Sequence, residues 1–249
     1  MRLYHFLNAK YGLQAIRRQH LKIARISELN DPFEFLQVAS EDPRTRARYQ
    51  FVKRSLSEYM GMICLSENWK NPVQWGHYAQ SHRGICLGFD VDAAAANKVR
   101  YVANRIPPNL KAMRKDGPAA RRHMLDLLTL KFDHWSYEQE HRVFVPLESR
   151  PKNRAGLYFM KFSDADSPLV LKEIIVGAAS EVSPEDVNAA LGRRAGSVSA
   201  FKARLAFRTF EVVAQRNRDL WRPSRRRVGL REPSFEALAQ RALAERFGS

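Results

Sequence analysis

Cysteine is scarce. Cys64 and Cys86 are the only two in 249 residues, and neither belongs to a CxxC pair. That excludes a disulfide scaffold and a cysteine-built zinc framework, and it points to reduced thiols in a cytoplasmic protein. No apolar run approaches the roughly 20 residues that cross a bilayer, so no membrane partner is expected. The opening MRLYHFLNAKYG is only briefly apolar and has no small-residue cleavage site, so no secretory signal is read. No GxGxxG or GxxxxGKS/T string follows a strand-like run, which argues against a Rossmann fingerprint and a P-loop. Acid is also in short supply. Lys and Arg number 42 against 26 Asp and Glu, a formal net charge of +16.

A surface so basic attracts polyanions by counterion release. Nucleic acid is the expected partner, and a phosphate-bearing small ligand is the second candidate; an arginine-rich composition selected only for solubility fits the same numbers. Hydrophobic residues make up 45% of the chain and aromatics 10%, enough for a sizeable core. Strand-like runs fall at 3–6, 60–67, 84–90, 99–102, 142–147, 157–162 and 172–178, with a short strand after 21 and one or two more over 198–213. Helical spacing covers 44–59 and 119–134. Asn8 is placed to cap a helix over AKYGLQAIRRQ, Pro72 to start a short one, and Ser183-Pro184 to start another. Strands and helices mix without a βαβ rhythm, so the class is α+β. Residues 1–214 form one main domain. Residues 215–249 form a basic extension ending in a helix, with Arg222, Arg225, Arg226 and Arg227 as phosphate contacts and Trp221 as a surface for base stacking.

The stretch WSYEQEHRVFVP (135–146) sets Glu138 and Glu140 two apart at the mouth of an apolar run. On an extended chain, alternation would point both to one face. Such a pair suits general acid/base work, or stabilisation of the oxocarbenium-like centre formed when a bond at a sugar C1 breaks. A surface ion pair between Glu140 and Arg142 accounts for the same spacing. His5, between Tyr4 and Phe6, suits a ribose hydroxyl with an aromatic neighbour for a base, or a backbone carbonyl. Ser66 ends a buried strand. Trp69, Trp75, His77 and Tyr78 form an aromatic cluster able to take a flat ring, or to pack on the core. His77 and His82 are five apart, which is not the metal spacing HExxH, so a metal nuclease built on them with Glu140 is the weakest reading and no metal is expected. No GxSxG surrounds Ser66 or Cys64. In NDPFE (30–34), Asp31 and Glu34 suit a proline turn.

The ordered set LYHF, GLQAI, NDPFE, CLSEN, WGHYAQSHRGICLGFD, WSYEQEHRVF and KEIIVGA resembles a bacterial domain-of-unknown-function family. Its members share LYHY, NDPFE, a W-x-HYA-x-x-H-x-G-x-C-x-GFD block and a YExEWR block. The likeness runs from about residue 3 to about 213. In layout that family is similar to the ADP-ribosyltransferases. This second resemblance implies a mixed, antiparallel split sheet flanked by helices, with NAD as substrate and nucleic acid or a protein as acceptor, in phage defence or toxin biology. It implies that His5, with Tyr4, holds a ribose; that Ser66 orders the site; and that Trp75 or Tyr78 walls the nicotinamide. Glu140 would then bind the ribose 2′-hydroxyl and stabilise the oxocarbenium ion, while Glu138 orients the acceptor. Arg25 or Arg83 would face the phosphates. His141 stands where the family has an aromatic residue.

Overall fold

The structure is a computed structural model that describes residues 1–112, 117–148, 150 and 152–221. Arg222, Arg225, Arg226, Arg227 and the expected terminal helix lie outside the described residues.

Local chemistry builds the first unit. Strand β1 (Arg2–Leu7) ends at Asn8, whose side chain accepts the Tyr11 N–H at 2.8 Å and starts helix α1 (Ala9–Arg18). Gln19, left-handed at φ 54°, ends that helix and sends the chain into β2 (His20–Arg25). Asp31 holds the NDPFE turn by accepting the Phe33 N–H at 2.9 Å. Asp42 caps α2 (Pro43–Tyr59), which runs directly into β3 (Met60–Ser66). Asn71 caps α3 (Pro72–Tyr78), and β4 (Ile85–Val91), β5 (Asn97–Lys98) and β6 (Arg100–Val102) follow. Next come α4 (Pro118–Leu128), β7 (Leu130–Phe132), a 3-10 helix over Asp133–Glu138 and β8 (Glu140–Pro146). The described chain closes with β9 (Tyr158–Lys161), β10 (Leu169–Val176), α5 (Pro184–Leu191) on a Ser183–Asp186 capping box, β11 (Ser199–Leu205) and β12 (Val212–Ala214).

The main sheet runs β12-β11-β10-β4-β1-β3-β2-β9, with β8 also on β3 and β5 on β8. Among the described residues only β10 and β11 pair in parallel within it. Strands β6 and β7 form a small parallel sheet apart. The fold is α+β. Among the described residues no helix is long and apolar enough to cross a membrane.

The sheet is interrupted at one place. Strand β8 occupies one edge of β3 along its whole length, from Met60↔Pro146 to Ser66↔Glu140. On the other edge β2 pairs only at Gly61 and Met62, and β1 only at Ser66. Between those contacts β1 and β2 diverge, and the edge of β3 is open over residues 63–65.

One apolar cluster, with Leu3, Ile16, Phe89, Ile174 and Val187, joins the sheet to α1 and α5. A second, with Phe35, Tyr49, Met62 and Leu127, lies under α2 and α4. A third gathers Trp75, Ala79, Cys86, Ile175 and Val212.

Two expectations are corrected. The helix expected to reach residue 134 ends at Leu128, because Leu130–Phe132 pair with β6 and the Thr129 hydroxyl turns back to the Leu125 carbonyl at 2.7 Å. A short apolar run reads alike as helix or strand. The strand expected from residue 142 starts at Glu140, so Glu138 and Glu140 do not share an extended segment.

Candidate active site

The open edge of β3 becomes a cleft. Tyr4, His5 and Phe6 of β1 line it with Lys22 and Ala24 of β2 and Cys64 and Ser66 of β3; Tyr78, Lys131, Glu138 and Glu140 line it too. Its volume is about 250 Å³, near the lower end of ligand pockets at about 300–1,000 Å³. That is room for a ring and a sugar rather than a whole dinucleotide.

His5 bridges the gap. Its Nδ1 lies 2.8 Å from the Cys64 carbonyl oxygen, a partner for a backbone group that the diverging strands leave unpaired. With Nδ1–H donating, Nε2 is the remaining acceptor of a neutral ring. Burial lowers the His5 pKa and the Cys64 contact only partly opposes it, which keeps the ring neutral. Ser66 stands between Tyr4 and Glu140 in one cross-strand row. Its hydroxyl accepts the Asn68 N–H and the Gln74 Nε2–H, each at 3.0 Å, so it orders the loop at the end of the cleft.

The acids meet by a different route from strand alternation. Glu138 ends the 3-10 helix, Gln139 takes a left-handed turn at φ 45°, and Glu140 opens β8. The turn brings both carboxylates to Lys131. The Lys131 Nζ donates to Glu138 Oε2 at 2.5 Å and to Glu140 Oε2 at 3.3 Å. Arg142 then forks. It donates to Glu140 through Nε at 2.8 Å and Nη2 at 2.9 Å, and to Glu34 through Nη2 at 2.6 Å and Nη1 at 3.0 Å. Its Nη1 also reaches the Leu128 carbonyl at 2.7 Å. Glu34, Lys131, Glu138, Glu140 and Arg142 are all buried, none more than 6% exposed. The Glu140–Arg142 contact is therefore not a surface ion pair.

The two carboxyls are driven apart in acidity. Burial alone would raise Glu140, but Arg142 and then Lys131 hold it at about 2. Burial raises Glu138; Lys131 opposes this and the Glu140 charge adds to it. The Tyr78 hydroxyl donates to Glu138 Oε1 and accepts from Asn30 Nδ2 at 2.6 Å. Burial, and next the Glu138 charge, raise the Tyr78 pKa. With every group ionised, three carboxylates face two cations, leaving one negative charge at the cleft floor. Such a floor favours a cation, or a centre that becomes cationic during reaction. Two carboxyls with separated pKa values are also the usual basis for dividing acid and base roles.

The cleft thus gathers Tyr4, His5, Ser66, Tyr78, Glu138 and Glu140. Trp75 is elsewhere, in correction of its expected place beside a bound ring. It is 0% exposed, packs edge-on against Phe6 at 5.3 Å and donates to the Trp69 carbonyl at 2.6 Å. Trp75 is in the core, and Tyr78, the last residue of α3, lines the cleft. Arg25 pairs with Glu28, which lines the cleft, while Arg83 is exposed. His77 and His82 do not join Glu140: His77 meets the Tyr137 hydroxyl and His82 stacks on Trp75. Among the described residues no three His, Cys, Asp or Glu are grouped to hold a metal.

Residues 74–143 match the model of a family described as Protein of unknown function (DUF2971). The match runs from within α3 to the middle of β8 and so includes Tyr78, Lys131, Glu138, Glu140 and Arg142. No curated protein and no solved structure matches the chain.

Sequence reasoning missed Lys131 and Arg142 as site residues and gave Glu34 only a turn role. Glu34 and Arg142 are 108 residues apart in sequence, so no local spacing joins them. The one signal was negative: an acid in NDPFE whose neighbour Asp31 already held the turn.

Proposed function

We propose that the chain is an ADP-ribosyltransferase-like enzyme whose cleft binds the nicotinamide-ribose end of NAD. The carrying observation is the Glu138–Glu140 carboxyl pair, held by Lys131 and Arg142 at the floor of a cleft opened by a split in the sheet. Nicotinamide in NAD is a cationic leaving group, and the ribose C1′ becomes more cationic as its bond to the ring nitrogen breaks. Both stages gain from a fixed negative charge. In this reading Glu140 is the fixed anion, locked by Arg142 and Lys131. Glu138 is the base. The C1′–N bond breaks, its electron pair leaves with nicotinamide, an acceptor oxygen or nitrogen bonds to C1′, and Glu138 takes the acceptor's proton. His5 Nε2 accepts from a ribose hydroxyl, Tyr4 and Tyr78 flank the ring, and Ser66 keeps the end of the cleft in order. Lys22 and Arg25 stand near the mouth for phosphate, each now paired with Glu28.

Nicotinamide release from NAD by wild type beside Glu140→Gln tests the reading. The expected result is NAD binding with release, and a loss of about 100- to 1,000-fold in kcat in the variant. Full turnover by Glu140→Gln, or no binding at millimolar NAD, would remove it.

A non-catalytic nucleic-acid-binding role is the second reading. It is favoured by the net charge of +16 and by the β11–β12 hairpin, where Phe207 and Phe210 are 91% and 99% exposed and Arg204 stacks on Phe207 at 4.5 Å. It predicts salt-steep binding that survives substitution of Glu140.

A further inference from the structure

Behind the cleft lies a second cavity that the chemistry above does not use. Its volume is about 210 Å³, and Phe33, Gln37, Val102, Arg105 and Phe132 line it. Two segments separate the cavities. Glu34 and Lys131 face the cleft, while their chain neighbours Phe33 and Phe132 face this pocket.

Three features of the pocket point to a ligand. Phe33 and Phe132 are 47% and 37% exposed, two large aromatic rings on one small concavity, with the His134 ring tilted against Phe132 at 4.4 Å. The Arg105 guanidinium lies 4.8 Å from the Phe33 ring centroid, which puts a cation at the rim. The third is Gln37. It is only 4% exposed, its Nε2 donates to the Leu130 carbonyl at 2.6 Å, and its Oε1 has no hydrogen-bond partner among the described residues. A buried amide oxygen without a donor costs free energy, and a ligand N–H would recover it. The frame is firm, since the Ile106 N–H donates to the Gln37 carbonyl and the Ala39 N–H to the Ile106 carbonyl, each at 2.8 Å.

We propose that this pocket binds a nucleobase. One planar ring lies against Phe33 and Phe132, its N–H edge donates to Gln37 Oε1, and Arg105 takes the attached phosphate. A base unites the three features: it has π-faces, an N–H edge, and a phosphate on its sugar that the +16 chain attracts. The base can come from a single strand or from a mononucleotide. The inference does not depend on cleavage of NAD in the cleft.

The test uses the full chain and three probes: a fluorescein-labelled single-stranded oligonucleotide, an abasic strand of the same length, and AMP. Phosphate contacts are common to both strands, so the preference for the base-bearing strand isolates the ring. Expected is a clear preference in wild type that falls about five- to one-hundredfold in Phe33→Ala, the worth of one stacked base. It should also fall in Gln37→Met, which keeps the side-chain length and removes the acceptor. AMP binding lost in the same variants, without a strand preference, supports the pocket with a mononucleotide as its source. Thermal unfolding of each variant shows that it is folded, and Phe33→Leu repeats the test with apolar volume kept. Absence of both strand preference and AMP binding overturns the proposal. So does preference or binding that Phe33→Leu and Gln37→Met leave unchanged.

Discussion

Two ladders of the main sheet are alike in length, and they differ in whether they bury charge as well as apolar residues. Strands β4 and β10 pair from Leu169↔Val91 to Val176↔Ile85, and β3 and β8 from Met60↔Pro146 to Ser66↔Glu140. In the first ladder Ile85, Cys86, Leu87, Phe89, Ile174, Ile175 and Val176 are all 0% exposed. In the second, β8 sets Glu140, His141 and Arg142 into equal burial. Apolar burial stabilises in proportion to area. A buried ion-pair network does not, since desolvation offsets most of its attraction, and well-packed apolar residues often do as well or better. One ladder therefore explains why the domain folds. The other keeps charges that folding does not require, beside an open strand edge, and that is the pattern of a site.

The largest effect that sharpens this contrast is on stability. Leu87→Ala removes buried apolar volume and should cost about 2–5 kcal/mol. Arg142→Ala should cost a similar amount, about 3–5 kcal/mol, because it leaves Lys131 alone to balance the buried Glu34, Glu138 and Glu140. Replacing Arg142, Glu34 and Glu140 together by apolar residues should recover most of that loss while nicotinamide release stays absent. Urea unfolding measures all three. If Arg142→Ala unfolds at the midpoint of wild type, the two ladders do not differ as argued.

A middle-sized effect lies in pH. Glu140 sits at about 2 in the folded chain, below its ordinary 4.5, so its contribution is complete above pH 4.5 and is lost as pH falls toward 2. Glu138 has the opposite sign. Its raised folded pKa means that its ionised form is disfavoured near neutrality, a penalty relieved as pH falls through that pKa to 4.5. Unfolding temperature followed against pH, wild type minus variant, should therefore show acid loss that Glu140→Gln lacks and a gain on approach to pH 4.5 that Glu138→Gln lacks. Two superimposable difference curves would contradict the separation of the two carboxyls.

The first ladder was legible in the sequence. GICLGFD and KEIIVGA are apolar runs bounded by glycine, and length with composition marks them as strands. Asn8 and Ser183 announced two helix starts through side-chain capping, and Pro72 a third through its fixed φ at the first helical position, all of it local chemistry. The second ladder was legible only in part. The tally of acids at 138 and 140 was visible, but their convergence depends on Gln139 at positive φ, a conformation that glutamine does not advertise. Lys131 was hidden by a periodicity that ran α4 on past Leu128. Arg142 was hidden by the assumption that an i, i+2 acid–base pair is solvated. Trp75 and Tyr78 looked alike as aromatic neighbours, and their i, i+3 spacing gave no sign that one is core while the other, at the end of α3, lines the cleft.

The smallest effect probes that last pair. Tyr78→Phe keeps the ring in the cleft and removes the hydroxyl between Asn30 and Glu138. Asn30 is exposed, so water replaces its partner, and the cost in stability should be near 1 kcal/mol. Glu138 has no such substitute. Losing a donor to its ionised form moves its pKa further up. If Glu138 is the base, the acidic limb of nicotinamide release shifts to higher pH in Tyr78→Phe, while the plateau rate at high pH changes little. A limb that stays in place would assign the titration to another group and leave Glu138 as a counter-ion of Lys131. A shifted limb would separate the two acids by role: Glu140, locked in the ladder, supplies charge, and Glu138, on the turn before it, moves the proton.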